Sequence, residues 1–339
     1  MLHIGLIGCG RMGRDHVKRV TERTADAEIA AVADVDAERR KQAAALCGAR
    51  MYSDPLALID DDRVEAVMVV SPGAAHEEPI LRAVRRGKPV FSEKPLATTA
   101  AACRRIAEAE MEGGRHLVQV GFMRRFDRGC RQMKKELDSG AYGAPLLLHC
   151  THRNAYVLDD YTTPMAVYDT AIHEIDCLHW LLDDTWESVQ VILPRRSRLA
   201  REGLQDPQLM ILRSRGGVVV GLEVFVTCRF GYDINCEIVC EEGSLTMPQP
   251  AAPLIKHAAK IERELETDFF NRFLDAYDVE INEWVRGAQA GRVDGPTAWD
   301  GYMAAVTADA LVKAQRSGVS ETVAAAETPA FYRPAQQSR

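Results

Sequence analysis

Leu2-His-Ile-Gly-Leu-Ile-Gly-Cys-Gly-Arg-Met-Gly13 opens the chain as an apolar run that leads directly into a glycine-rich turn. The run predicts a buried strand, and the pattern G-x-G-x-x-G follows it just before a helical pattern. In such a turn the first glycine permits the tight bend, the second lets the backbone approach a pyrophosphate, and the third lets the helix pack on the strand. The sequence therefore predicts a dinucleotide-binding turn formed by Gly8, Gly10, Arg11, Met12 and Gly13.

An acidic residue after the second predicted strand selects the cofactor. The run 28–33 predicts this strand, and Asp34 follows it at the expected spacing from the glycine turn, about 20 residues. A carboxylate at this place binds the adenosine ribose hydroxyls and repels the 2′-phosphate of NADP. The first basic residue after Asp34 is Arg39, so the sequence favours NAD. The alternative is a glycine turn without a ligand and an Asp34 that only caps a helix.

Length and composition predict a two-domain enzyme of the cytoplasm. The chain has 339 residues, 47% of them hydrophobic, and a formal net charge of −7 at pH 7. Two domains follow from the usual domain size of about 150 residues. Basic residues are scattered or offset by acids, apolar runs are shorter than the roughly 20 residues that cross a bilayer, and no basic leader precedes the first apolar stretch. We therefore expect neither nucleic-acid nor membrane partners.

The nine cysteines predict reduced thiols, because their number is odd and no CxxC occurs. Two arrangements invite a metal assignment. One is Cys236 with Cys240, and the other is the run 173–179, in which Cys177 stands where the second histidine of HExxH belongs. Structural zinc needs four ligands at a defined spacing, which neither arrangement supplies, so no metal is expected.

Strands and helices alternate through residue 121, which predicts a doubly wound parallel sheet. The run 64–70 is a predicted strand, 74–86 a predicted helix and 89–91 another strand. In such sheets, ligands bind beyond the carboxyl ends of the strands. The residues at these ends that we assign to cofactor binding are Ser71, Pro72, His76, Glu93 and Lys94.

The pattern changes after a predicted linking helix over 124–137. Long strand-like runs follow with few helices between them, which predicts a large, mostly antiparallel sheet flanked by helices. The run 218–226 is apolar on both faces, so we expect helices on one face and a partner subunit on the other. Two predicted helices, 268–288 and 297–317, close the chain.

The predicted fold class is therefore α/β plus α+β. A Rossmann domain is expected over 1–121, and a substrate-binding and oligomerisation domain over 122–335.

Three residues carry the groups that alcohol oxidation needs. Removing a hydride from a secondary alcohol leaves a protonated carbonyl unless a base takes the hydroxyl proton, and His173 suits that role at neutral pH. Asp169 lies four residues earlier, about 40° away around an α-helix, and can orient the substrate or the base, or stabilise the imidazolium. Lys94 can hydrogen-bond the reacting oxygen and lower the pKa of the hydroxyl, while Pro95 keeps the Lys94 backbone extended. Taken singly, each residue also has a structural alternative. Lys94 could be a solvated lysine, Asp169 a helix cap and His173 a buried core histidine.

These residues resemble the Gfo/Idh/MocA oxidoreductases. The matching elements are the run Ser92-Glu93-Lys94-Pro95-Leu96, Ser71-Pro72 with His76, and Asp169 with His173. The resemblance covers nearly the whole chain and implies that Lys94, Asp169 and His173 are the catalytic residues.

Longer strings resemble bacterial inositol 2-dehydrogenases in particular. They include Gly121-Phe-Met-Arg-Arg-Phe-Asp127, Ile172-His-Glu-Ile-Asp176, Gly231-Tyr-Asp-Ile234 and Gly295-Pro-Thr-Ala-Trp-Asp-Gly-Tyr302. The resemblance implies a homotetramer and a polyol pocket. The residues that it assigns to this pocket are Lys94, Met123, Arg124, His152, Asn154, Asp169, His173 and Tyr232. Neutral donors and acceptors suit uncharged hydroxyls, whereas a phosphorylated sugar calls for a denser cationic patch.

The expected reaction is oxidation of myo-inositol to 2-keto-myo-inositol with NAD as hydride acceptor. Scyllo-inositol or a pyranose such as glucose is the alternative substrate, and a dinucleotide-binding regulator without catalysis is the alternative class. Three pocket residues also have structural alternatives. Arg124 could belong to a surface ion pair, Asn154 could cap a loop, and Tyr232 could be a packed strand residue.

Overall fold

The computed structural model describes residues 1–250 and 252–333. These residues form two compact units. The first contains Met1–Met123, Tyr277–Val306 and the described residues from Ala325 onward, and the second contains Arg124–Ala276 and Thr307–Ala324. The first unit thus takes in residues far beyond position 121, where the sequence suggests a single boundary.

A six-stranded parallel sheet forms the centre of the first unit. Its strands are β1 (Leu2–Ile7), β2 (Ala27–Ala33), β3 (Arg50–Tyr52), β4 (Ala66–Val69), β5 (Val90–Glu93) and β6 (Val118–Gly121). They lie in the order β3-β2-β1-β4-β5-β6, so the chain builds outward from β1 in both directions. The predicted doubly wound sheet is confirmed, and the turns after β1 and β4 lie next to each other at the point where the strand order reverses.

Helices connect most strands of this sheet. They are α1 (Arg11–Arg23), α2 (Ala37–Cys47), α3 (Pro55–Asp60), α4 (Glu77–Arg85) and α5 (Ala100–Gly113). The prediction of one helix over 74–86 is wrong in detail, because a 3₁₀ turn, Gly73–Ala75, precedes α4. Glu77 and Glu78 occupy the first turn of α4, where acidic side chains stabilise a helix start.

Residues from late in the chain complete the core of the first unit. Ile281, Trp284 and Val285 belong to the same buried cluster as the strand residues Ile4 and Phe91. The ring centroids of Phe91 and Trp284 lie 5.7 Å apart. This shared burial is the physical reason that 277–306 groups with the N-terminal strands.

The second unit contains a seven-stranded sheet in the order β12-β11-β7-β10-β9-β8-β15. Its strands are β7 (Pro145–Arg153), β8 (Trp186–Ile192), β9 (Gln208–Ser214), β10 (Val219–Phe225), β11 (Asp233–Cys240), β12 (Ser244–Thr246) and β15 (Glu321–Thr322). A separate hairpin pairs β13 (Ile255–His257) with β14 (Lys260–Glu262). Neighbouring strands are antiparallel except for β7 and β10, so the predicted mostly antiparallel sheet is confirmed.

The remaining helices are α6 (Arg128–Asp138), α7 (Ile172–Leu182), α8 (Phe269–Arg272), α9 (Leu274–Gln289) and α10 (Ala298–Ser317). The predicted linking helix over 124–137 begins instead with a 3₁₀ turn, and the predicted helix over 268–288 is divided at Phe273. Asp127 explains the first change, because its carboxylate caps the start of α6. None of the helices in the described parts of the chain is long and apolar enough to cross a membrane.

Strand β10 shows which face of the second sheet is buried within the chain. Val220, Leu222 and Val224 are fully buried, whereas Val219 and Phe225 on the other face are partly exposed. Within the chain, the run 218–226 is therefore fully buried on one face only, although its sequence is apolar on both.

Candidate functional site

The glycine turn after β1 leaves the start of α1 open. Gly8 has φ of 98°, and a Cβ on it would lie 2.4 Å from the backbone nitrogen of Ser71. A Cβ on Gly13 would lie 1.9 Å from the Gly8 carbonyl oxygen, yet one on Gly10 would meet nothing within 4 Å. Arg11 and Met12 begin α1, whose first turn has no acidic residue and no side-chain cap. Two glycines thus permit close packing, and the third leaves room beside a helix start that favours anions.

Asp34 lies directly after β2, with its carboxylate oriented by the backbone. Its Oδ2 accepts a hydrogen bond from the Cys9 N–H at 2.7 Å, and its Oδ1 accepts from the Asp36 N–H at 2.9 Å. Asp36, rather than Asp34, caps α2. The Arg40 guanidinium donates to the Asp34 carbonyl oxygen at 2.5 Å, so a cation lies beside this acid. The partly exposed carboxylate keeps lone pairs with which it can accept hydrogen bonds from ribose hydroxyls.

His76 joins the turns that follow β4 and β5. Its Nε2 lies 2.6 Å from the Ser71 carbonyl oxygen and its Nδ1 lies 2.9 Å from the Pro95 carbonyl oxygen. The ring has no exposed surface, and burial lowers the pKa of His76. Its side chain therefore supports these turns. The Ser71 hydroxyl is buried with no hydrogen-bond partner among the described residues, as a site for a polar ligand atom requires.

Glu93 and Lys94 stand at the carboxyl end of β5. Glu93 is 8% exposed, and both of its carboxylate oxygens have partners. Oε1 lies 2.8 Å from Nε2 of His16, and Oε2 accepts from the Lys94 N–H at 3.1 Å. The Lys94–Pro95 peptide bond is cis, and Lys94 is partly exposed.

A π-helical segment, Ala166–Ala171, runs directly into α7 in the second unit and carries Asp169. The predicted 40° offset between Asp169 and His173 assumes an α-helix and does not apply, because i→i+5 hydrogen bonds widen the turn. Asp169 is exposed, whereas His173, in the first turn of α7, is only 8% exposed. Short π-helical segments are rare in proteins, and those that occur are often found at functional sites. This one places an exposed carboxylate shortly before a nearly buried imidazole.

A buried charge network lies beside His173. Arg124 forms an ion pair with Oε1 of Glu174, and Nη2 of Arg124 lies 3.1 Å from Nδ1 of His152. The same Nδ1 lies 2.9 Å from Oε2 of Glu174, and the His152 and His173 ring centroids are 6.4 Å apart. A guanidinium only donates, so Nδ1 of His152 cannot both accept from Arg124 and donate to Glu174. The shorter, charge-assisted bond to Glu174 favours Nδ1–H as the donor.

The charges of this network compensate for burial. Burial alone raises the pKa of Glu174, but the positive Arg124 and the hydrogen-bonding His152 outweigh burial and hold this pKa below its usual value. Burial alone lowers the pKa of Arg124, and Glu174 more than reverses that effect. Arg124 is thus a buried ion-pair residue, which differs from the surface ion pair that we considered from the sequence.

Tyr232 and Asn154 flank the network. The Tyr232 ring meets His152 edge-on at 5.8 Å and lines a cavity of about 430 Å³. Burial raises the pKa of Tyr232 to about 12, so its hydroxyl remains a donor at neutral pH. Asn154 follows β7 and donates its backbone N–H to the Phe225 carbonyl oxygen at 2.9 Å. Its side-chain oxygen is buried without a hydrogen-bond partner in the described parts of the chain, which suits a substrate hydroxyl.

Met123 begins the 3₁₀ turn before α6 and is 1% exposed. It belongs to the first unit, whereas Arg124 belongs to the second. In the structure its side chain is part of a packed interior.

Two buried polar residues, Glu174 and His16, were not assigned a role from the sequence. A signal for each is present in the sequence. Glu174 is an acid within the apolar run of α7, and a buried acid requires a partner. His16 shares the spacing of Gly13, Val17 and Val20 on the buried face of α1.

Each unit therefore carries a different set of functional groups. The first provides an open helix start, an acid for ribose hydroxyls and a lysine at a strand end. The second provides an imidazole, a carboxylate and neutral hydrogen-bonding groups. Within residues 1–250 and 252–333, no group of three or more His, Cys, Asp or Glu side chains is arranged to hold a metal ion.

Comparisons with known proteins point to one family. Residues 2–122 match the NAD-binding Rossmann fold of the GFO_IDH_MocA oxidoreductase family, and residues 134–324 match the C-terminal alpha/beta domain of the same family. The chain is 49% identical to the inositol 2-dehydrogenase of Burkholderia ambifaria over 334 residues, which cover 98% of this chain and 99% of the relative. It is 48% identical to that of Azotobacter vinelandii over 336 residues, with the same coverage.

A solved structure is similar over nearly the full length. It is the myo-inositol dehydrogenase of Lactobacillus casei in complex with NAD(H) and myo-inositol. The TM-score is 0.96 and the sequence identity is 41%, with 98% of this chain and 100% of that chain covered.

Proposed function

The chain belongs to the Gfo/Idh/MocA oxidoreductase family, and from this premise we propose that it oxidises myo-inositol to 2-keto-myo-inositol with NAD as the hydride acceptor. We place this reaction in inositol catabolism. The observation that carries the proposal is the presence of Lys94, Asp169 and His173 in a chain that is 49% identical to an inositol 2-dehydrogenase over nearly its full length.

The residues of the first unit fit NAD. The open space at Gly10 and the uncapped start of α1 suit a pyrophosphate, the Asp34 carboxylate suits the ribose hydroxyls, and the Ser71 hydroxyl is available to a polar atom. When bound, NAD accepts the hydride from the carbon that bears the reacting hydroxyl.

The chain's own residues move the proton and position the substrate. We assign His173 as the general base that accepts the hydroxyl proton. Lys94 donates a hydrogen bond to the reacting oxygen and stabilises the negative charge that develops there. Asp169 orients the substrate or the imidazole and stabilises the imidazolium once the proton has moved.

The remaining contacts suit an uncharged polyol. Asn154 offers an amide oxygen without a hydrogen-bond partner among the described residues, and Tyr232 offers a protonated hydroxyl. The positive charge of Arg124 is compensated by Glu174, so it adds no net charge that would select a phosphorylated sugar. His152 lies beside these groups, with its Nδ1 held by Glu174.

A substrate panel tests the proposal. Purified enzyme is mixed with myo-inositol, scyllo-inositol, other cyclitols and aldoses such as glucose, each with NAD and with NADP, and the reduced nicotinamide is followed by absorbance. The expected result is the highest kcat/KM with myo-inositol and NAD, and loss of that activity in Lys94→Ala. A higher kcat/KM with scyllo-inositol or a pyranose replaces the substrate assignment, and failure to turn over any polyol favours a dinucleotide-binding regulator.

We also propose that the chain forms a homotetramer, whose subunits associate through the outward face of the second sheet. Leu147, Leu209, Ile211, Val219 and Val239 are partly exposed apolar residues on that face. The same face also carries the ion-paired Arg153 and Glu223, so apolar and polar residues are mixed on it, as they are in subunit interfaces. Light scattering at micromolar concentration should show the tetramer, and Ile211→Lys should dissociate it. A wild-type protein that is monomeric at that concentration would contradict the assignment.

The cytoplasmic location that we propose agrees with the nine free thiols.

A further inference from the structure

An acid and an imidazole are paired in the interior of the first unit, directly beside Lys94. His16 has no exposed surface, and its Nε2 lies 2.8 Å from Oε1 of Glu93. The ring meets Phe91 edge-on at 5.6 Å and Tyr277 edge-on at 6.2 Å. Nδ1 of His16 is buried without a hydrogen-bond partner in the described residues. The single polar contact that these observations give to the ring is therefore with Glu93, through an Nε2–H donor.

The other oxygen of Glu93 is equally committed. Oε2 accepts a hydrogen bond from the backbone N–H of Lys94 at 3.1 Å. Glu93 also pairs with Gly121 on β6, where an added Cβ would lie 3.4 Å from Oε2, close to ordinary van der Waals contact. With both oxygens occupied and only 8% of the residue exposed, Glu93 is poorly placed to bind a ligand itself.

We propose that His16 and Glu93 form a positioning pair that sets the backbone, and hence the ammonium group, of Lys94. α1 carries His16, the imidazole orients the Glu93 carboxylate, and the carboxylate fixes the Lys94 N–H. The pair acts through Lys94 and does not touch the reacting atoms. This inference rests on the proposed function, in which Lys94 hydrogen-bonds the reacting oxygen.

Kinetics separate positioning from cofactor binding. His16→Leu removes the donor, whereas His16→Gln retains an N–H group close to the position of Nε2. His16→Leu should lower kcat for myo-inositol by roughly ten- to a hundred-fold, the scale expected when a catalytic group is displaced by about 1 Å. The Kd for NADH, measured by fluorescence, should be little changed. His16→Gln should recover most of the lost kcat.

A matched core variant controls for general destabilisation. Val20 lies on the buried face of the same helix, one turn beyond His16, and is 1% exposed. Val20→Ala should lower the Tm without lowering kcat at a temperature where the enzyme is folded. Equal losses of kcat in His16→Leu, His16→Gln and Val20→Ala would overturn the proposal, because catalysis would then simply follow packing.

A second readout does not depend on the substrate. Competitive acetylation of the folded enzyme with trace acetic anhydride, followed by mass spectrometry, gives the relative reactivity of each lysine. In His16→Leu the reactivity of Lys94 should change, while that of the exposed Lys41 on α2 should stay the same. Unchanged Lys94 reactivity together with wild-type kcat refutes the positioning pair. If the wild-type enzyme oxidises no polyol, the proposed function fails, and the Lys94 reactivity alone then decides whether the pair positions this residue.

Discussion

Glu110 in the first unit and Glu174 in the second are both buried carboxylates, yet their pKa values are shifted in opposite directions. Glu110 accepts hydrogen bonds from the N–H groups of Leu117 and Val118 and from the Tyr332 hydroxyl. Burial outweighs these bonds and raises the pKa of Glu110 to about 6. Glu174 also pays for burial, but the charge of Arg124 and the bond to His152 bring its pKa below the usual value. Glu110 is held by neutral hydrogen-bond donors, whereas Glu174 is held by the positive charge of Arg124.

The candidate functional residues of the two units follow the same difference. In the first unit, the turns are set by glycines and by backbone groups, such as the Cys9 N–H that binds Asp34. In the second, the surroundings of His173 are set by side chains from Arg124, His152 and Glu174. Substitution of Asp34 in the first unit should therefore affect the cofactor, substitution of Lys94 or His16 should affect catalysis, and substitutions in the second unit should affect substrate chemistry or stability.

The largest effect is expected for His173→Ala, which removes the proposed base. It should reduce kcat by about a hundred- to ten-thousand-fold near pH 7 and leave the Kd for NAD nearly unchanged. Steady-state kinetics and fluorescence titration measure the two effects. The acid limb of the kcat/KM profile should also disappear. His179→Ala, on the same helix, is the control, and a His173→Ala enzyme with wild-type kcat would move the base role to Asp169 or a bound water.

Glu174→Leu should be the most destabilising of the substitutions predicted here. It leaves Arg124 buried without its anion, which costs roughly 3–5 kcal/mol of unfolding free energy. Urea denaturation measures the loss. The double variant Arg124→Met/Glu174→Leu replaces both charges with apolar groups and should recover most of the stability. A double variant less stable than Glu174→Leu would show that the ion pair is not the source of the loss.

Asp34→Ala should affect the cofactor and not the chemistry. Loss of a charge-assisted contact worth roughly 1.5–3 kcal/mol weakens NAD binding by about ten- to a hundred-fold. Discrimination against NADP should relax, because Arg40 already lies beside this position. KM values for NAD and NADP report both effects. Asp36→Asn, which removes a neighbouring charge and can still cap α2, is the control. Unchanged KM values for both cofactors would remove this role from Asp34.

The smallest effect concerns the pH dependence of stability through Glu110. Its folded pKa of about 6 exceeds the usual 4.5, so the folded state binds the proton more tightly than the unfolded state does. This contribution is fully present below pH 4.5 and is lost as the pH rises through about 6. The shift corresponds to about 2 kcal/mol.

Glu110→Gln removes this titration. Relative to this variant, the wild type should lose stability between pH 4.5 and 7, as measured by urea denaturation at several pH values. A difference between the two proteins that is constant across this range would show that Glu110 does not titrate there.

Much of the first unit could be predicted because its signals are local. Gly8, Gly10 and Gly13 lie within one turn, and Asp34 follows the next strand. Each glycine also has a role that backbone geometry alone defines. The burial of His76 between two turns was less predictable, since a position at a strand end does not show which groups pack around the ring.

The second unit was predictable in its sheet. The π-helical segment was not, because apolar periodicity does not separate α from π hydrogen bonding over six residues. The network of Arg124, His152 and Glu174 joins three distant parts of the chain, and side-chain identity alone does not show which charges meet.

By itself, the sequence determined the two classes of sheet, the dinucleotide turn and the identities of the chemical groups, because short-range sterics and periodicity act between neighbouring residues. Only the tertiary structure decided which polar groups are buried together. That is how His16 came to lie against Glu93 beside Lys94, and Glu174 against Arg124 and His152. The physical reason is that a buried charge needs a partner within hydrogen-bonding distance, and folding can supply that partner from any point of the chain.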